Sequence, residues 1–531
     1  MPTLLSFLLL LVLNLSSPSF ATDSLDADFL QCLSNQTNSQ DNISNIVYSQ
    51  TSPSYTPLLL AYIRNSRYNT TSTPKPLIIV TPQDESHVQA VVICAKEVGF
   101  QIKIRSGGHD YEGISYVSNI PFLVLDMFNI KRINVSLQTQ RAYVQAGATV
   151  GELYYKIWEN SRVHGFPAGV CLTLGIGGHF SGGGYGTMLR KFGLSVDNVF
   201  DAQIVDVNGK ILDRKAMGED LFWAIRGGGG ASFGVVLSYS INLVSVPEIV
   251  TVFRVEKTLE ANATDLVYNW QSVAPSIDNN LFMRVLLQPV TSKTNKGEKT
   301  VRASVVALYL GNANTLVSLL NKEFPELGLK KENCTEMGWI DSVLWWANSD
   351  IGTSPNAMLD RHPNTAGLLK RKSDYVQSPI SKNDLESIWK KMIEQGKVGM
   401  VFNPYGGRMA EIPASETPFP HRAGKLFKIQ YSVNWKEEGG EAEEKYLRQA
   451  RELYSFMTPF VSKNPRSAFL NYRDLDIGVM PNGTNDYKAG SVYGIKYFND
   501  NYDRLVKVKT AVDPQNFFRN EQSIPTLPIN V

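Results

Sequence analysis

From Gly169 to Gly186 the chain reads G-V-C-L-T-L-G-I-G-G-H-F-S-G-G-G-Y-G, one cysteine set beside a run of glycines. Lacking a Cβ, glycine lets backbone approach a ligand closely and turn with positive φ, so successive N–H groups can converge on phosphate oxygens. A redox cofactor carrying a diphosphate fits such a cradle. A Rossmann loop does not, because that needs G-x-G-x-x-G. Here Gly175 and Gly177 are followed by Phe180, and Gly182 and Gly184 by Thr187. Taken alone, the stretch also reads as a turn-rich loop.

At 531 residues the chain has room for two or more domains of ~150 residues each. Its 52 Lys and Arg against 50 Asp and Glu leave a charge of +2, which supplies no long-range field for nucleic acid or an anionic membrane. Small-molecule partners are expected. Met1 to Ala21 combines an apolar run, Leu4 to Leu13, with Ser-Ser-Pro-Ser-Phe-Ala, the pattern of a signal peptide cleaved near Thr22. No later segment approaches the ~20 apolar residues of a membrane span. A secreted product is expected, in the apoplast and cell wall or in the vacuole. Glycosylation sequons begin at Asn35, Asn42, Asn69, Asn134, Asn262, Asn333 and Asn482.

Four cysteines are too few and too scattered for a disulfide scaffold or a zinc site, and no metal is expected. One bridge, Cys32 to Cys94, is expected in an oxidising compartment. Cys334 reads as a buried free thiol, and Cys171 needs a separate explanation.

The order from Leu77 is strand (Leu77 to Val80), helix (Asp84 to Val98, ended by Gly99), strand (Gln101 to Arg105), glycine turn, strand (Phe122 to Leu125). Thr149 with Glu152 forms a capping box that opens a further helix. After Pro247 long alternating strands are interleaved with amphipathic helices such as Asn383 to Gln395. Alternation along Phe427 to Trp435 puts Lys428 and Gln430 on one face, able to line a pocket. Arg284 falls on another strand, where a solvated edge charge is the plain alternative. The tail, N-Y-R-D-L-D from Asn471 and D-P-x-N-F-F-R-N-E-Q-S-I-P, is expected to return to the first domain.

Together, R-S-G-G-H-D-Y-E-G-x-S-Y (Arg105 to Tyr116), the Cys171 cradle, F-W-A-I-R-G-G-G-G-A-S-F-G (Phe222 to Gly234), N-Y-R-D-L-D and F-F-R-N-E-Q-S-I-P resemble the plant berberine bridge enzyme-like family. The resemblance spans essentially the mature chain. It implies an α+β, vanillyl-alcohol-oxidase-type flavoprotein: signal peptide 1–21, FAD-binding part 22–250, antiparallel sheet-plus-helix substrate domain 251–468, and 469–531 completing the FAD domain. It implies FAD held by two covalent bonds, through His109 and Cys171. Arg105, Ser106, Gly107, Gly108, Leu174, Gly175, Gly177, Gly178, Gly182 and Asn516 would contribute to that site. Leu172 departs from the proline of many relatives.

Tyr111, Tyr185, Arg284, Lys428, Gln430 and Tyr472 resemble the active-site set of the branch that oxidises monolignols. The implied reaction passes hydride from an alcohol carbon to flavin N5 while Tyr472 takes the proton, a neighbouring cation favouring its tyrosinate. Gln430 stands where alkaloid-cyclising relatives carry a glutamate base, and an amide cannot accept that proton. Leu174 replaces a valine associated with oxygen reactivity, which implies a dehydrogenase using another small acceptor such as a quinone. Two alternatives remain: an oligosaccharide oxidase acting on reducing-end hemiacetals, and a cyclase or pericyclic catalyst with structural FAD. A monomer is expected.

Overall fold

The computed structural model describes residues 19–37, 43–362, 366–481 and 484–528. The expected signal segment up to residue 18 and the sequons at Asn42 and Asn482 lie outside the described residues. The remaining sequon asparagines, Asn35, Asn69, Asn134, Asn262 and Asn333, are exposed. No helix among the described residues is long and apolar enough to cross a membrane.

Strands Val47–Ser49, Ile78–Val80, Phe122–Asp126 and Gln101–Arg105 lie side by side in that order, the first pair antiparallel and the others parallel. Parallel neighbours need a crossover, and helix Glu85–Val98 is part of it. The Asp84 carboxylate accepts from the backbone N–H groups of Ser86 and His87, and Gly99 closes the helix at φ +82°. Cys32 and Cys94 form a disulfide across a sequence separation of 62, tying helix Ser19–Gln36 to this one. A closed loop of that length contributes ~4 kcal/mol by the chain-entropy argument.

Strands Ile133–Ser136, Arg141–Gln145, Val235–Asn242, Val199–Val205 and Ile211–Leu212 make a second, antiparallel sheet. The capping box at Thr149 and Glu152 is present in both directions, and Leu153 and Ile157 are fully buried beneath it.

The third sheet has seven antiparallel strands, ordered Cys334–Met337, Val250–Thr258, Lys299–Tyr309, Leu281–Thr291, Gly399–Pro404, Phe427–Trp435 and Leu368–Val376. Helices Ala263–Ser276, Lys382–Gln395 and Gly440–Phe456 share a core with Phe427, Ile429, Tyr431, Val433 and Trp435. The alternate residues Lys428 and Gln430 face the other way. Arg284 sits on an interior strand, half-buried, and is no solvated edge charge. Cys334 corrects an expectation. It lies on the edge strand and is only partly covered, so its free thiol is not buried.

The tail returns to the first sheet. Phe517 and Phe518 join its core, Lys103 pairs with Glu521 at 2.7 Å, and Gln101 donates to the Arg519 carbonyl. Between the second and third sheets the fully buried Arg190 donates to the carbonyls of Pro275, Ile277, Asp278, Leu281 and Tyr405 at 2.6–3.1 Å. The whole is a mixed α+β fold.

Candidate active site

The glycines of the cradle divide by what a side chain would meet. A Cβ on Gly107 would lie 2.4 Å from Gly175 N, and one on Gly175 would lie 2.0 Å from Ser106 Oγ. Two chain segments cross there, where only bare backbone fits. Gly178 is different: a Cβ would meet nothing within 4 Å. It lines a cavity open to solvent, whose walls include Ser106, Gly107, Gly108, His109, Leu174, Gly175, Gly177, Gly178 and Gly182. The second glycine run and the tail residues Arg519, Asn520 and Gln522 close the far side.

Two polar wall atoms, Ser115 Oγ and Arg473 Nη1, are buried with no hydrogen-bond partner among the described residues. Unpaired buried donors of this kind call for a polar ligand. A glycine wall for close approach with unpaired donors in it fits a dinucleotide such as FAD.

Three expected cofactor residues are not in the cavity wall: Arg105, Asn516 and Cys171, whose free thiol is exposed. Arg105 is fully buried in an ion pair with Asp126 and donates to the carbonyls of Leu58 and Leu59, so its fork braces the strand end. Asn516, at φ +51°, is buried in the tail turn.

His109 and Cys171 come together through a residue the sequence reading passed over. Thr173 Oγ lies 2.8 Å from His109 Nε2 and 3.8 Å from Cys171 Sγ. Burial, with the charges of Arg64 and His179, pushes His109 down to about 3, which keeps the imidazole neutral. Leu172 does not dislodge the loop. Its carbonyl accepts from Gly151 N and that of Leu174 from Val150 N, both at 2.8 Å, pinning both sides of Thr173 to one helix start.

A second cluster gathers beside the cavity. The Tyr185 and Tyr472 hydroxyls share a short hydrogen bond, and Gln430 Nε2 donates to Tyr111 Oη at 3.2 Å. Lys428 Nζ sits 3.3 Å from the Tyr185 ring centroid and 4.4 Å from that of Tyr472, with no hydrogen-bond partner among the described residues. Arg284 lies over the Trp346 ring and its charge acts on both Tyr185 and Tyr472. Arg371, which reads in sequence as part of a Lys-Arg-Lys charge run, joins from the edge strand opposite Ser432 and lies 5.6 Å from the Tyr111 ring. Pairing register, invisible without a fold, is the signal that finds it.

The electrostatics correct one expectation. Burial, then Tyr185 and Tyr111, push Tyr472 well above the ordinary phenol value, and Arg284 offsets only part. Tyr185 is pushed up to about 12, and burial drives Lys428 well below the ordinary amine value. No neighbouring cation lowers Tyr472 to neutrality, because desolvation dominates.

Comparisons with known proteins agree with this anatomy. The model of an FAD binding domain matches residues 76–214, and that of berberine and berberine-like proteins matches 468–525. Berberine bridge enzyme-like 19 of Arabidopsis thaliana is 63% identical over 529 residues, covering 99% of this chain and 92% of that protein. Among solved structures, Phl p 4, a grass pollen allergen with glucose dehydrogenase activity, superposes with a TM-score of 0.88 at 42% identity, covering 94% of this chain and 100% of that one. Berberine bridge enzyme from Eschscholzia californica does so at 0.88 and 36%, covering 95% and 100%. With an FAD-binding module, the berberine-type tail and near full-length likeness in one chain, this protein belongs to the berberine bridge enzyme-like family of FAD-linked oxidoreductases.

Proposed function

We propose that the protein is a secreted dehydrogenase that oxidises a primary or allylic alcohol, monolignol-like, to the aldehyde. The observation that carries this reading is the hydroxyl pair of Tyr185 and Tyr472 under Lys428, beside the glycine-walled cavity. His109 and Cys171 would hold FAD, which would supply the hydride acceptor. Tyr472 takes the donor's hydroxyl proton while Tyr185 donates to it. In so dry a cluster the phenol is the favoured resting form of Tyr472, and it must lose its proton before it can accept the donor's. The charge of Arg284 offsets part of the anionic charge as Tyr472 ionises. Gln430 holds Tyr111 as the opposite wall. The Cys32–Cys94 disulfide and the exposed sequons support secretion, to the apoplast or vacuole.

A second reading, oxidation of a reducing-end hemiacetal on an oligosaccharide, is favoured by Arg284 and Arg371 around the tyrosines, which suit a hydroxyl-rich or anionic donor. The glucose dehydrogenase activity of Phl p 4 also favours it. Adding coniferyl alcohol to the yellow protein without air tests the first reading. Rapid bleaching supports it. Bleaching only with cellobiose or oligogalacturonides transfers the assignment to the sugar, and turnover without bleaching points to structural FAD. Readmitting air then tests Leu174: recovery should be slow, and faster in Leu174→Val. Equal recovery removes Leu174 as the barrier to oxygen.

A further inference from the structure

Thr173 is buried, and its hydroxyl is the one group in hydrogen-bond contact with both His109 and Cys171 among the described residues. A hydroxyl has one proton to give and lone pairs with which to accept. The chain of three can therefore run in two directions. In one, His109 Nε2–H donates to Thr173 Oγ, and Oγ–H donates to the Cys171 sulfur. Nδ1 then keeps its lone pair, and the sulfur is supported as an electron-rich nucleophile. In the other, the thiol donates to Oγ, Oγ–H donates to Nε2, and Nδ1 carries the proton. Neither end can then attack.

Arg64 is the buried charge that acts on His109 beside this chain of three. It is 8% exposed, its Nε has no partner among the described residues, and its carbonyl contact is to Arg361. Its positive charge helps keep the His109 imidazole neutral. Backbone pinning at Leu172 and Leu174 holds Thr173 between its two partners.

We propose that Thr173 is a positioning residue for cofactor attachment, one hydroxyl preparing both nucleophiles so that the two linkages depend on a single side chain. This rests on the covalent reading given above. Each linkage replaces one C–H of the flavin and one N–H or S–H of the protein with one C–N or C–S bond. Two protons and two electrons leave, the electrons to a two-electron oxidant, a quinone or dioxygen. Thr173 is unchanged in that balance; it sets which atoms carry protons beforehand.

The test compares wild type, Thr173→Val and Thr173→Ser as purified holoproteins, by acid precipitation and by masses of the peptides carrying His109 and Cys171. Wild type and Thr173→Ser should carry flavin on both peptides. Thr173→Val, which fills nearly the same space, should bind FAD and melt normally, yet lose both adducts by up to about tenfold, the factor for one lost neutral hydrogen bond. Both adducts at wild-type level in Thr173→Val overturn the proposal, as does failure of serine to restore them. If valine disturbs folding, the serine variant still decides, because only the hydroxyl distinguishes their predicted outcomes. Unmodified peptides in wild type itself would overturn the covalent reading, and the coupling with it.

Discussion

The cradle and the tyrosine cluster adjoin, but they are built by opposite means. The cradle is made of backbone: Gly107 and Gly175 are bare because chain must pass chain, and Gly178 because the cavity must stay open. The cluster is made of buried side chains whose proton affinities are displaced by desolvation, Tyr472 upward and Lys428 downward. Substitutions in the first should therefore change whether cofactor is held, and in the second how fast a held cofactor is reduced.

The sharpest break between them is Tyr472→Phe. It should keep its yellow colour while reduction by the donor slows by ~10²–10⁴-fold, the usual worth of a positioned acid–base group. Anaerobic stopped-flow absorbance measures this, and an unchanged rate would reassign the base. Lys428→Met comes next. Burial disfavours the ammonium form of Lys428, so removing the amine from over the two phenol rings should slow reduction by about tenfold or less, ~1 kcal/mol. Since Tyr472 is held above its ordinary value, wild-type reduction should also quicken as pH rises through neutrality, and a flat profile would contradict the raised phenol.

The cradle gives the converse pair. Gly175→Ala crowds Ser106 and should cost about 1–3 kcal/mol of stability on denaturant titration. Gly178→Leu should leave stability nearly intact but abolish the flavin absorbance that accompanies the protein. If both variants lose stability equally, the distinction between chain-crossing and ligand-facing glycines fails. The smallest effect is acidic. His179, pushed down to about 4 by burial and by Lys428, stays neutral in the fold while the unfolded chain protonates near 6.5. Its stabilising effect is present above about pH 6.5 and lost as pH falls toward 4, by up to ~1.4 kcal/mol per unit. His179→Gln should flatten that slope in unfolding curves taken from about pH 7 to about pH 4.5.

The same contrast governs what could be read from sequence. Local features carried their own signatures: the capping box at Thr149 and Glu152, the helix stopped by Gly99, the alternation from Phe427 to Trp435. The cradle was legible because glycine runs are local too. The cluster as a whole was not legible from spacing, since Gln430 and Tyr111 stand 319 positions apart; alternation marked Lys428 and Gln430 as a pocket face, and family resemblance supplied the rest. Arg371 and Thr173 escaped because their meaning depends on strand register and on a three-atom contact. Arg105 lies outside the cavity wall for a related reason: the motif marks the turn, and the arginine within it braces a strand. The phenol shifts ran opposite to expectation because a nearby cation is visible in a list of residues, whereas the depth of burial is not.

Arg190 carries a last consequence. Its fork ends on five backbone carbonyls of the seven-stranded unit, so what it recognises is main chain, which mutation of side chains does not alter. The seam between the two parts of the molecule is therefore insulated from changes in the face that bears Lys428 and Gln430. Substitutions on that face can change what it contacts while Arg190 keeps the same main-chain partners.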